Sequence, residues 1–162
     1  MDSKWIALGL MTALAALMIA AAISDVRSRT ISNRLNLAMA ALAPLFWVAS
    51  GLAPWPDMLM QAGAAFAVFL LFLGLFAIGA MGGGDVKMIG AVMLWVSLPL
   101  MLPTLTIMAI AGGLLSIILL IQHKWRPSAM SQQVPYGVAI AAAGLWALHQ
   151  HYFNQFEAIG AS

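Results

Sequence analysis

The chain has 162 residues, of which 64% are hydrophobic and only 7% are charged. Soluble domains carry roughly 25% charged residues, so this composition excludes a water-exposed globular surface and indicates a membrane protein. The net charge of +2 is too small to indicate a nucleic-acid partner, and the absence of cysteine excludes disulfides and thiolate metal sites.

Six apolar segments follow one another along the chain, separated by charges, glycines or prolines. Long runs of Leu, Ala, Met and Ile without alternation are typical of membrane-spanning helices and not of β-barrel strands. The predicted spans cover residues 5–24, 37–53, 62–81, 88–98, 104–121 and 134–148. We therefore predict an all-α polytopic membrane protein with about six transmembrane helices. Residues 1–162 are expected to form a single transmembrane domain without a separate soluble domain.

Basic residues predict the orientation of these spans. Six of the seven basic residues fall in loops on one side of the membrane: Arg27, Arg29, Arg34, Lys87, Lys124 and Arg126. The positive-inside rule makes this side cytoplasmic. The sequence therefore predicts a multi-pass membrane protein with cytoplasmic segments at residues 25–34, 82–87 and 122–133.

Two acidic residues stand at the cytoplasmic mouths of predicted spans. Asp25 ends the first span and Asp85 opens the fourth, so both lie at a similar depth. Ionisable groups at membrane depth are costly and are candidates for function. Two carboxylates held close together share a proton, as in aspartic proteases, where one activates water and the other donates to the peptide carbonyl.

Each aspartate also has a structural interpretation. Asp25 could pair with a following arginine, and Asp85 could cap a helix. The preceding Gly82, Gly83 and Gly84 favour a functional site, because glycines give backbone freedom and leave room for another chain. A small transporter or channel that uses both aspartates as a proton or cation site is the alternative from another class, and an inactive assembly partner is a third.

A metal site is not expected from this sequence. His149 and His151 lie on the predicted outer side, and Glu157 is their sole acidic neighbour. The pair is therefore interpreted as interfacial rather than as metal-ligating.

Three segments carry a resemblance to a known family. Residues 82–87, Gly-Gly-Gly-Asp-Val-Lys, resemble the Gly-x-Gly-Asp motif of intramembrane aspartyl proteases. Residues 25–33, Asp-Val-Arg-Ser-Arg-Thr-Ile-Ser-Asn, are similar to the first-aspartate motif of prepilin peptidases, except that Ser32 replaces a proline. Residues 134–137, Val-Pro-Tyr-Gly, resemble the segment that opens their last span. The chain thus resembles the prepilin peptidase family over nearly its whole length, and most closely the short Tad/Flp-pilus type.

The resemblance implies an aspartic-type endopeptidase that cleaves the basic leader of type IV (Flp-type) prepilins or pseudopilins at the cytoplasmic membrane boundary. It implies a location in a bacterial inner membrane, with Asp25 and Asp85 as catalytic residues that face the cytoplasm. The implied substrate-binding residues are Gly82, Gly83, Gly84, Lys87, Pro135, Tyr136 and Gly137. Long family members carry a cysteine-containing insertion and methylate the new N-terminus, so the short loop here implies cleavage without methylation and no cofactor. Expected partners are the substrate helix, membrane lipid and the pilus assembly machinery.

Overall fold

The structure is a computed structural model that describes residues 3–125 and 134–160. Its helices are α1 (Ser3–Ser28), α2 (Asn33–Ala49), α3 (Leu59–Ala77), α4 (Gly83–Met93), α5 (Leu98–Trp125) and α6 (Tyr136–Gly160). A single turn at Pro54–Met58 leads into α3. The described residues contain no strand, so the prediction of an all-α fold is confirmed.

In the described part of the chain, three segments are long and apolar enough to cross a membrane, and they lie at Ser3–Ser28, Pro54–Ala77 and Leu98–Gln122. The helices overlap the six predicted spans one by one, but six crossings, the orientation and the single domain stay predictions. The predicted loop at residues 122–133 lies largely outside the described residues.

The fourth predicted span, residues 88–98, has different bounds in the structure. Its helix, α4, begins within the glycine cluster and has 11 residues. Such a helix is about 16 Å long, roughly half of the hydrocarbon thickness. Pro99 lies in the first turn of α5, as expected of a residue that divides two helices, whereas Pro103 lies inside α5.

Helices α1, α2, α4 and α6 form the centre of the molecule as a helix ring, in which each helix packs against two of the others. Helix α1 packs against α2 and α6, and α4 packs against the same two helices from the opposite side. Fully buried side chains fill the space between them, among them Leu14, Met18, Met39, Met88 and Ile140. Helix α3 packs outside α4, and α5 packs outside α6. Both outer helices expose large apolar side chains, which suits contact with lipid.

The C-terminal end of α4 is held by polar side chains from α2 and α3. The Nε2 atom of Gln61 donates to the carbonyl oxygens of Met93, Leu94 and Val96 at 3.1, 3.3 and 2.7 Å. The indole N–H of Trp47 donates to the Leu94 carbonyl at 2.8 Å. The last carbonyls of a helix lack partners within the helix, and leaving them unpaired in an apolar environment is costly. These side chains therefore allow α4 to end early and fix its position along its axis.

Candidate active site

Asp25 lies near the C-terminal end of α1 and is buried, with 5% of its surface exposed. Its Oδ2 atom accepts a hydrogen bond from the backbone N–H of Gly137 at 2.7 Å. Gly137 belongs to the first turn of α6, 112 residues further along the chain. The motif at residues 25–33 and the motif at residues 134–137 therefore meet at this carboxyl group.

Gly137 is a glycine because two side chains occupy the space beside it. A Cβ atom at this position would lie 2.8 Å from the Oδ2 atom of Asp25 and 3.0 Å from the Cδ1 atom of Ile31. Both distances are shorter than ordinary van der Waals contact. The absence of a side chain thus lets the start of α6 approach Asp25 closely enough to donate its N–H.

Asp85 lies in the first turn of α4, outside the three candidate spans, and is partly buried. Burial and, after it, the negative charge of Asp25 raise the pKa of this carboxyl group, a hydrogen bond from the Gly82 backbone opposes the rise, and the net pKa is about 6. The two carboxyl groups are therefore close enough for their charges to interact. Near neutral pH such a pair can hold one proton between a base and an acid.

The turn between α1 and α2 brings the motif at residues 25–33 against the motif at residues 82–87. Ile31 is buried in this turn, and a Cβ atom on Gly84 would lie 3.4 Å from its Cβ and 3.5 Å from its backbone nitrogen. The Nζ atom of Lys87 donates to the Oδ1 atom of Asn33 at 2.9 Å. The α1–α2 turn and the first turn of α4 thus lie side by side, and Asp25 and Asp85 lie at the same end of the helix ring.

The turn itself is shaped by local hydrogen bonds. Arg29 adopts a left-handed conformation with φ of 54°, and the hydroxyl of Ser24 donates to the Thr30 carbonyl at 2.8 Å. Ser32, which replaces the proline of the related motif, is the N-cap of α2, and its side chain accepts from the Arg34 N–H at 3.2 Å. Of the three arginines near this turn, Arg29 carries the positive charge that acts most strongly on Asp25.

The remaining predicted site residues take different positions. Gly83 faces the ring of Phe76, since a Cβ atom there would lie 3.2 Å from its Cε2 atom. Pro135 is buried just before α6. The ring of Tyr136 lies against Gly112 of α5, where an added Cβ atom would be 2.7 Å from its Cε1 atom. Tyr136 therefore joins the start of α6 to α5, whereas Gly137 is the residue of this motif that contacts Asp25.

Two buried amide side chains among the described residues were not singled out from the sequence. Asn36 is 5% exposed, and its Nδ2 atom donates to the carbonyl of Gly84 at 3.1 Å. Gln61 is 6% exposed and binds the end of α4. Each lies one residue before a predicted span, at residues 37–53 and 62–81, so no pattern in the sequence marked either residue as part of the site.

No cluster of three His, Asp or Glu side chains occurs in the part of the chain that the structure describes. The ring of His151 packs edge-on against Phe46, with centroids 5.6 Å apart, which agrees with a packing position for this histidine. The expectation that no metal is needed stays a prediction.

A model of the type IV leader peptidase family matches residues 12–117. The matched stretch includes both aspartates and the glycines before Asp85, whereas the segment at residues 134–137 lies beyond it. Neither a curated protein nor a solved structure matches the chain significantly.

Proposed function

Because the chain belongs to the type IV leader peptidase family, we propose that it is an aspartic endopeptidase that removes the basic leader of Flp-type prepilins. Membership implies type IV leader peptidase activity and therefore a prepilin substrate. The proposal adds the catalytic pair, Asp25 and Asp85, and the subtype of the substrate. Its main support is the packing of the α1–α2 turn against the first turn of α4, which brings both carboxyl groups to one end of the helix ring.

In the proposed mechanism the two aspartates have complementary roles. Asp85, whose pKa is raised to about 6, is the acid that donates a proton to the scissile carbonyl oxygen. Asp25, oriented by the N–H of Gly137, takes a proton from the attacking water. The water oxygen bonds to the carbonyl carbon and forms a tetrahedral diol. The C–N bond then breaks as the proton held by Asp25 passes to the departing amine and one hydroxyl of the diol returns a proton to Asp85. The products are the leader with a new carboxyl group and the mature pilin with a new amine, and both aspartates regain their starting states.

The short Flp type is supported by the connection between α1 and α2. Residues 29–32 alone join these helices, and the sequence contains no cysteine. This connection leaves no room for the cysteine-containing insertion of the long, methylating members. We therefore assign cleavage without N-methylation to this chain. The distribution of basic residues supports a cytoplasmic active site in the inner membrane.

The test uses the purified protein in lipid vesicles with an Flp-type prepilin. We expect a shorter product in gel electrophoresis, and mass spectrometry should give an unmodified N-terminal amine even when S-adenosylmethionine is added. Absence of cleavage under conditions where another leader peptidase processes the same prepilin would refute the proposed activity. A methylated product would refute the subtype alone.

A further inference from the structure

A groove of about 720 Å³ lies between α2 and α3, with α4 as its floor. It lies on the face of α4 opposite Asp85, and it is open to the side, since Leu37 and Phe66 at its edges are 69% and 60% exposed. The floor consists of Lys87, Gly90, Ala91 and Leu94, spaced at three and four residues. Such spacing places them on one face of α4 over about 10 Å, or two helical turns.

Small residues line much of this groove. Gly90 and Ala91 line the floor, Ala40 lines the α2 wall, and Ala62 and Ala65 line the α3 wall. Small side chains allow the backbones of membrane helices to approach each other closely. The groove therefore suits an apolar helix that enters sideways from the lipid.

The end of the groove nearest the active site carries an unused hydrogen-bond acceptor. Asn36 lines the groove there and is 5% exposed. Its Nδ2 atom donates to the Gly84 carbonyl, which fixes the orientation of the amide. Its Oδ1 atom is buried and has no hydrogen-bond partner. An unpaired buried acceptor is costly, so a ligand with an N–H group would be stabilised at this point.

The first N–H groups of a helix have no partners within that helix. A helix that lies in the groove with its N-terminal end toward the cytoplasm would bring such donors to Asn36. A prepilin has this orientation, because its leader is cytoplasmic and the apolar helix follows the cleavage site. The segment before the helix would then cross the exposed Gly82 at the start of α4 to reach Asp85 on the other face.

We propose that the groove between α2, α3 and α4 binds the apolar helix of the prepilin, and that the Oδ1 atom of Asn36 accepts a hydrogen bond from the first turn of that helix. This inference rests on the proposed function and adds the docking site. It implies that the scissile bond lies in an extended segment just before the helix, where a peptide carbonyl is accessible to water.

A matched pair of substitutions in α3 tests the groove. Ala62 lines it, whereas Ala67 is exposed on the same helix and is not among the lining residues. With prepilin in lipid vesicles, Ala62→Phe should raise the KM about tenfold or more, because the added ring displaces apolar contacts of the substrate helix. Ala67→Phe should keep the wild-type KM. Equal KM values for the two variants, together with cleavage by the wild type, would overturn the groove and leave the proposed function standing.

Photo-crosslinking gives a second readout that does not depend on turnover. A benzoylphenylalanine at position 40, in the inactive Asp85→Asn protein, should crosslink to the prepilin helix, and one at position 67 should not. Crosslinks to phospholipid alone from position 40 would identify a lipid site and overturn the proposal.

The role of Asn36 is tested by the register of these crosslinks. With Asn36→Leu the crosslinked prepilin residues should spread over neighbouring positions, because the helix end has lost its anchor, and Asn36→Asp should restore a single register. An unchanged register in Asn36→Leu would remove Asn36 from the docking site.

Discussion

Gly137→Ala perturbs the candidate site by one methyl group. The added Cβ atom would lie 2.8 Å from the Oδ2 atom of Asp25 and 3.0 Å from its Cβ atom. It would also lie 3.0 Å from the Cδ1 atom of Ile31. The substitution therefore pushes on a candidate catalytic carboxyl group and on the turn that lies against Gly84, without changing any group that takes part in the reaction.

The magnitude follows from these distances. The shortest one is about half an ångström below the 3.4 Å at which ordinary contact begins. Either Asp25 or the start of α6 must therefore move, and the 2.7 Å hydrogen bond between them must lengthen or bend. A displacement of about 1 Å in a catalytic group costs on the order of 100-fold in rate, so we expect a loss of kcat between about tenfold and about 100-fold.

The assay compares the rate of prepilin cleavage at equal protein levels in membranes. Gly113→Ala in α5 is the control, because a Cβ atom there would meet nothing within 4 Å. Alanine favours a helix by about 1 kcal/mol over glycine, so neither variant is expected to lose stability through helix propensity. Cleavage by Gly137→Ala at the rate of Gly113→Ala would refute the argument that close approach of α6 positions Asp25.

Three further predictions follow from the site. Gly84→Val should reduce cleavage far more than Gly63→Val, because a Cβ atom on Gly84 would already touch Ile31, whereas a Cβ atom on Gly63 would meet nothing within 4 Å. Equal processed fractions of prepilin for the two variants would contradict this prediction. If the acid is Asp85, with its pKa raised to about 6, kcat should fall as pH rises above that value, since the carboxyl group loses its proton. The folded state binds this proton more tightly than the unfolded state, so the free energy of unfolding should also fall as pH rises from 3.8 to about 6, which thermal unfolding in detergent can measure. A kcat that increases above pH 6, or a stability that increases between pH 3.8 and about 6, would be inconsistent with the assignment. Single cysteines introduced into this cysteine-free chain should react from the cytoplasmic side at Thr30 and from the outer side at Ser50, and labelling of Thr30→Cys from outside would reverse the orientation.

The composition and the positions of the charged residues between apolar segments were sufficient to predict the helical architecture. The low charge content requires an apolar environment. In lipid, a helix satisfies the hydrogen bonds of its own backbone. The same positions predicted that Asp25 and Asp85 lie at helix ends, and in the structure both residues lie near helix ends at the same end of the helix ring. Their mutual approach was an inference from topology. The contact between Gly137 and Asp25 was not predicted, because 112 residues separate them and the family resemblance implied only that Gly137 belongs to the site.

The remaining features depend on contacts that no local pattern encodes. The early end of α4 is compensated by Gln61, which lies 32 to 35 residues before the carbonyls it binds. The groove depends on how α2 and α3 stand apart over α4, and Asn36 becomes notable only when its Oδ1 atom is seen without a partner. Apolar periodicity indicates which side chains are buried but not which backbone groups they meet.

The most direct test of the catalytic pair replaces each carboxyl group by an amide of the same shape. Asp25→Asn and Asp85→Asn should each reduce the processed fraction of prepilin to background at wild-type protein levels in the membrane, because neither variant can hold both a base and an acid. Asp57→Asn is the control, since Asp57 is exposed in the turn before α3. Loss of cleavage in the first two variants with full cleavage in the third is the predicted result. Wild-type processing by either Asp25→Asn or Asp85→Asn would contradict the account.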